Sequence, residues 1–143
     1  MLVAVYAIFA LSASARAGVQ IASAFDEAPL AYTLSAVAGL VYLVAAIALG
    51  RPGAIARRVA IASITFELLG VLGVGTASLI APEAFPDETV WSGYGQGYGF
   101  VPLVLPVVGL AWLAHGRRSA RSSRAARSSR TDQPARQPAA PDA

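Results

Sequence analysis

Four apolar blocks, each near the ~20 residues that cross a ~30 Å hydrocarbon layer at 1.5 Å per residue, organise this sequence. They run from Met1 to about Phe25, from Leu30 to Gly50, from about Val59 to Ile80 and from Tyr98 to His115. In water, blocks of this kind must be hidden behind a polar shell. With 56% hydrophobic and 13% charged residues, the 143-residue chain has too few polar side chains, and has them too clustered, to build that shell. The sequence therefore predicts an all-α membrane protein: a four-transmembrane-helix bundle of up-down topology over 1–115, with helices at about 1–25, 30–50, 59–80 and 98–115.

A cleaved signal peptide is the competing reading of the first block, because the small residues Ala13-Ser14-Ala15 follow the apolar stretch from Leu2 to Leu11. No basic residue precedes that stretch, and the helical pattern continues past it, so an uncleaved helix is expected. Between the blocks lie the acidic turn Asp26-Glu27-Ala28-Pro29, the breaker Gly50-Arg51-Pro52-Gly53 and a long loop from Ala81 to about Gly97. The fragment Ala24-Phe25-Asp26-Glu27 is echoed by Ala84-Phe85-Pro86-Asp87-Glu88, a weak sign of parallel hairpin repeats.

Charge is segregated along the chain. After His115 there are seven arginines against Asp132 and Asp142, whereas the first 115 residues hold four arginines against six carboxylates. The sequence pI of 9.8 thus reflects the tail, a segment of Arg, Ser, Ala and Pro over 116–143 that is expected to be disordered and cytoplasmic. Arg118, Arg121, Arg124, Arg127 and Arg130 recur every third residue and define no single helix face. They suit anionic lipid headgroups, at ~1 kcal/mol per basic residue near the surface, and lack the interleaved aromatics of a nucleic-acid surface. Arg51, Arg57 and Arg58 lie between the second and third blocks, and the other two loops are free of basic residues. Basic loops stay inside, so both termini are expected in the cytoplasm of a multi-pass protein of the bacterial inner membrane.

Chemistry is constrained by what the chain lacks. It has no cysteine, no lysine and one histidine, His115, at the inner end of the fourth block. Thiolate chemistry, Schiff bases and multi-histidine metal sites are excluded, and neither catalytic residues, nor a metal site, nor a cofactor is expected.

Within the blocks only Arg16 and Glu67 are ionisable by ordinary standards, each costing ~2.5–3.5 kcal/mol at a helix centre. Ser12, Arg16 and Gln20 share one face of the first helix, and Ala10, Ser14, Gly18 and Ala22 form a small-residue stripe nearly opposite, suited to close helix packing. Measured at 1.5 Å per residue from the inner helix ends, Arg16 stands at ~22 Å, Glu67 at ~14 Å, Tyr42 at ~12 Å and Ser35 at ~22 Å. These heights predict a polar core of Arg16, Gln20, Ser35, Tyr42 and Glu67, with Glu67 hydrogen-bonded by Tyr42 and Arg16 beside Ser35 or the Pro102 carbonyl. Pro102 and Pro106 are expected to kink the fourth helix by removing N–H donors. Trp91, Tyr94, Tyr98 and Trp112 read as interfacial aromatics, and the glycines at 93, 95, 97 and 99 as a loop able to fold back over the bundle.

The stretches Ala15-Arg16-Ala17-Gly18-Val19-Gln20, Ala28 to Ala36, Glu67-Leu68-Leu69-Gly70-Val71-Leu72 and Val90-Trp91-Ser92 through Gly109-Leu110 resemble a family of small four-helix integral membrane proteins of high-GC Gram-positive bacteria. The resemblance covers residues 1 to 115 and implies a fold and a location, with no mechanism attached to the family. The expected role is a non-enzymatic accessory or structural component of a membrane assembly, in contact with the lipid bilayer and within a homo- or hetero-oligomer. The alternative is a small oligomeric transporter that uses an Arg16/Glu67 polar core.

Overall fold

The structure is a computed structural model that describes residues 1–131, with side chains to residue 116. Among the described residues it is all-helical. The helices are α1 (Leu2–Ala24), α2 (Pro29–Leu49), α3 (Ala54–Ile80) and α4 (Val101–Thr131), and short 3-10 turns occur at Phe25–Glu27, Pro82–Ala84 and Ser92–Tyr98. Helices α1, α2 and α3 are long and apolar enough to cross a membrane, and the bent pair Ser92–Tyr98 and Val101–Gly116 makes a fourth candidate if counted as one span. The chain divides into two compact units, Met1–Leu113 and Ala114–Ala143.

Helix ends follow local chemistry. Pro29 sits in the first turn of α2, where its missing N–H is no loss, and Gly50 ends that helix by donating to the Ala46 carbonyl. Helix α3 begins at Ala54, five residues before the expected Val59, because the breaker ends at Gly53 and the residues after it are good helix formers. Gly53, at φ 113°, takes a conformation that a side chain would oppose. Arg57 is consequently helical, and its guanidinium donates to the Leu113 carbonyl.

Two sequence expectations change in the last third of the chain. The expected tail begins at Gly116, yet α4 runs on to Thr131, because the intervening residues are mainly arginine, alanine and serine with no proline before Pro134. Residues 132–143 lie outside the described residues. Pro102 is the second residue of α4 and cannot kink it, since the carbonyl four residues earlier lies outside the helix; only Pro106 is interior. The sharp change of direction, 98°, comes just before α4. It is made by Gly99 and Phe100, both left-handed at φ 62° and 60°.

The core of the first unit is built on α1 and α2. Tyr6, Ala10, Ala13 and Ala17 form the buried face of α1. The small-residue stripe is used in part: a Cβ at Gly39 of α2 would lie 2.7 Å from the Ser14 hydroxyl and 3.1 Å from the Ser14 backbone, whereas Gly18 faces open space. Close approach of α1 and α2 at this point therefore depends on Gly39. Outward-facing Ile8, Leu11, Val19, Leu40, Leu43, Leu69 and Val104 leave the unit with a largely apolar exterior.

Candidate functional site

Glu67 is the fourteenth of the 27 residues of α3, so ~20 Å of helix extends to either side of it. It is fully buried, as are Tyr6 of α1, Tyr42 of α2 and the neighbouring Ile64. Helix periodicity explains the placement: Ala60, Ile64, Glu67, Val71 and Gly75 form the inward face of α3, and Glu67 occupies a position that an aliphatic residue would otherwise fill. Its polar neighbours are the hydroxyls of Tyr6 and Tyr42, and the Tyr42 hydroxyl in turn faces the indole N–H of Trp91. None of these contacts closes into a hydrogen bond of ordinary length and angle. Both Glu67 oxygens, both tyrosine hydroxyls and Trp91 Nε1 are buried without a partner. The two tyrosine rings are 6.1 Å apart, and the Phe9 ring is 5.8 Å from that of Tyr42. From α4 the cluster receives Gly109, where a Cβ would be 3.4 Å from the Tyr6 hydroxyl.

Trp91 arrives from a hairpin that folds back from the loop between α3 and α4. Its ring edge lies where a Cβ on Gly70 would be only 2.8 Å away, and Tyr94 is seated equally tightly on Gly75. Gly70 is ten residues from the end of α3, so the hairpin descends ~15 Å along that helix. The hairpin holds its own backbone. Thr89 Oγ1 accepts from the Trp91 and Ser92 N–H groups at 3.0 and 2.9 Å, Ser92 Oγ accepts from the Thr89 N–H at 3.0 Å, and the Gly93 N–H donates to Ser78 of α3 at 3.0 Å. Gly93, Tyr94 and Gly95 are all left-handed, which turns the chain back within three residues. Trp91 is thus buried, not interfacial, and Tyr94 points into α3, its hydroxyl 3.1 Å from Thr76 Oγ1. Trp112 remains exposed.

Arg16 belongs to a second cluster, apart from Ser35 and the Pro102 carbonyl where height alone would set it. It donates to the Tyr98 hydroxyl at 3.1 Å, lies 3.5 Å from the Glu88 carbonyl and pairs with Asp87 at 3.8 Å. Gln20 donates to the same Asp87 carboxylate at 2.9 Å, and the Tyr32 hydroxyl faces it from α2. The hairpin brings the acidic loop down to Arg16, so the arginine finds its counter-charge there. Ser35 is buried on α2 with an unpartnered hydroxyl. The five residues read as one polar core are therefore divided: Tyr42 and Glu67 face each other, while Arg16 and Gln20 anchor the loop. Tyr6 and Trp91 complete the Glu67 cluster. Tyr6 was hidden in the sequence because nothing in the apolar first block marks which face of the helix turns toward Glu67.

Among the described residues the protein is all-helical, with three helices able to cross a membrane, or four with the bent pair, which is consistent with a membrane protein. Comparison with known protein families, with curated proteins and with solved structures yields no match.

Proposed function

We propose that the chain is a four-span protein of the bacterial inner membrane, of up-down topology with cytoplasmic termini, and that it serves as a non-enzymatic accessory or structural component of a membrane assembly. Its likeness to small four-helix actinobacterial membrane proteins is part of the same proposal. The observation that carries the role is the way one end of the unit is closed. Trp91 and Tyr94 are seated on glycines of α3, while Arg16, Gln20 and Asp87 tie the same loop to α1. A closed end held by packing and ion pairing suits a protein that presents a fixed surface to partners. Extraction of the full-length tagged chain into native lipid discs should yield a particle containing a second protein in constant stoichiometry. A particle holding this chain and lipid alone would overturn the reading.

The position of Glu67 favours one alternative, a small oligomeric transporter. A carboxylate midway along an apolar helix is costly, and such residues commonly serve ion or substrate pathways. Its partners would be Tyr6 and Tyr42 and not Arg16, which is engaged at the loop. Uptake into proteoliposomes that is abolished by Glu67→Gln would establish this alternative over the first.

A further inference from the structure

Glu67 presents a charge problem that its neighbours leave unsolved. The residues facing it from the surrounding elements are Tyr6 from α1 and Tyr42 from α2, with Trp91 behind Tyr42 from the hairpin and Gly109 of α4 against Tyr6. These groups supply O–H and N–H donors and no positive charge. Donors soften the desolvation of a carboxylate, yet a buried ion without a counter-charge still costs several kcal/mol after relaxation. The nearby cation on α1, Arg16, is held by Asp87, Tyr98 and the Glu88 carbonyl. The compensating charge must then be small, because Tyr6, Tyr42, Ile64, Glu67 and Val71 are all at 0% exposure, close-packed around the carboxylate.

On the four-span reading, we propose that Glu67, Tyr6 and Tyr42 form a mid-membrane binding site for one monovalent cation, a proton or a sodium-sized alkali ion. The chemistry of the donor set fits this occupant. A bound proton turns one carboxyl oxygen into a donor to a tyrosine oxygen, leaving the other oxygen to accept from the second tyrosine. An alkali ion is ligated by a carboxylate oxygen and by the lone pairs of hydroxyls whose hydrogens still point at the carboxylate. In both cases the Trp91 indole N–H, which faces the Tyr42 hydroxyl, is placed to align it. An organic ammonium is excluded by size.

Infrared spectroscopy of the full-length protein in lipid nanodiscs at neutral pH separates the two occupants. If the occupant is a proton, a carboxylic-acid carbonyl band is present in the wild type, is lost in Glu67→Gln and is shifted in Tyr42→Phe. If it is an alkali ion, that band is absent, and thermal unfolding moves to higher temperature with the logarithm of sodium concentration against choline at equal ionic strength. The sodium response then disappears in Glu67→Gln. Should the glutamine variant fail to fold, the Tyr42→Phe shift alone decides the proton case: a band that does not move would belong to another carboxyl and would overturn the proposal. Absence of both the acid band and the sodium response would also overturn it. Neither result depends on an accessory partner, and a failed topology assay would count against the four-span reading instead.

Discussion

At the scale of single residues, two glycines of α3 offer a matched comparison. Gly75 lies against Tyr94, where an added Cβ would meet the ring at 2.6 Å and the Tyr94 backbone nitrogen at 2.8 Å; Gly73, half a turn away, has open space. Backbone atoms of a hairpin held by left-handed residues have little freedom to retreat. Gly75→Ala should therefore lower stability by about 1–3 kcal/mol through overpacking. Gly73→Ala should raise it by up to about 1 kcal/mol, because alanine is the better helix former. Thermal unfolding of both variants in the same detergent checks the contrast, and equal effects would show that Tyr94 is not seated on α3. Trp91 offers a second comparison, now against Arg16. Trp91→Ala removes a buried ring and should cost about 3–5 kcal/mol. The Arg16–Asp87 pair has side chains 39% and 36% exposed and is separated by 3.8 Å, so Arg16→Ala should cost at most about 1 kcal/mol. A larger loss for Arg16→Ala would mean that the loop is held by charge more than by packing.

At the scale of elements, the hairpin between α3 and α4 is the least ordinary part of the fold. Its helical turn packs against α3 and not against solvent, and its strained residues, Tyr94 and Phe100 at φ 61° and 60°, lie where the chain must reverse. A left-handed residue with a side chain costs roughly 1–2 kcal/mol, and here burial of Trp91 and the Thr89–Ser92 exchange offset it. Phe100→Gly should relieve this strain and stabilise the protein modestly if the phenyl group contributes little, since Phe100 is exposed. The rate of proteolysis in the loop from Ala81 to Gly97 reports the result, with slower cleavage expected for Phe100→Gly and faster cleavage for Trp91→Ala. Faster cleavage of Phe100→Gly would show that the reversal depends on the phenylalanine.

At the scale of the whole molecule, the four-span reading makes a prediction about sidedness. The chain has no cysteine, so any introduced thiol is unique. In intact cells a membrane-impermeant maleimide should label Glu83→Cys, in the loop after α3, and should label Ala54→Cys, after the Gly50–Gly53 breaker, only once the membrane is opened. Both positions are exposed, so burial does not confuse the readout. The reverse pattern would place the termini outside. Equal labelling of both in intact cells would rule out a membrane crossing by α3, the one span that separates them.

Length and apolarity determined a great deal of this protein by themselves. Blocks of about 20 apolar residues separated by Gly, Pro and acidic breakers are local signals, and α1 and α2 begin and end within a residue or two of where those signals set them. Glu67 was legible as a costly residue for the same reason, since an isolated carboxylate in an apolar block is visible without any fold. Its neighbours were legible only in part: Tyr42 could be matched to it by height along an ideal helix, but which faces meet depends on how the helices rotate about their axes. That rotation is decided by close approaches such as Gly39 to Ser14, which only the assembled structure specifies. The placement of Arg16 failed for a related reason. Height along a straight helix says nothing of a loop that folds back ~15 Å, and it was the hairpin that brought Asp87 to Arg16 and Trp91 to Tyr42. The hairpin's own signal, glycines alternating with aromatics, announces a chain able to turn back. Where it turns is settled by the notches at Gly70 and Gly75, because a large ring is buried only where a missing side chain on another helix leaves room for it.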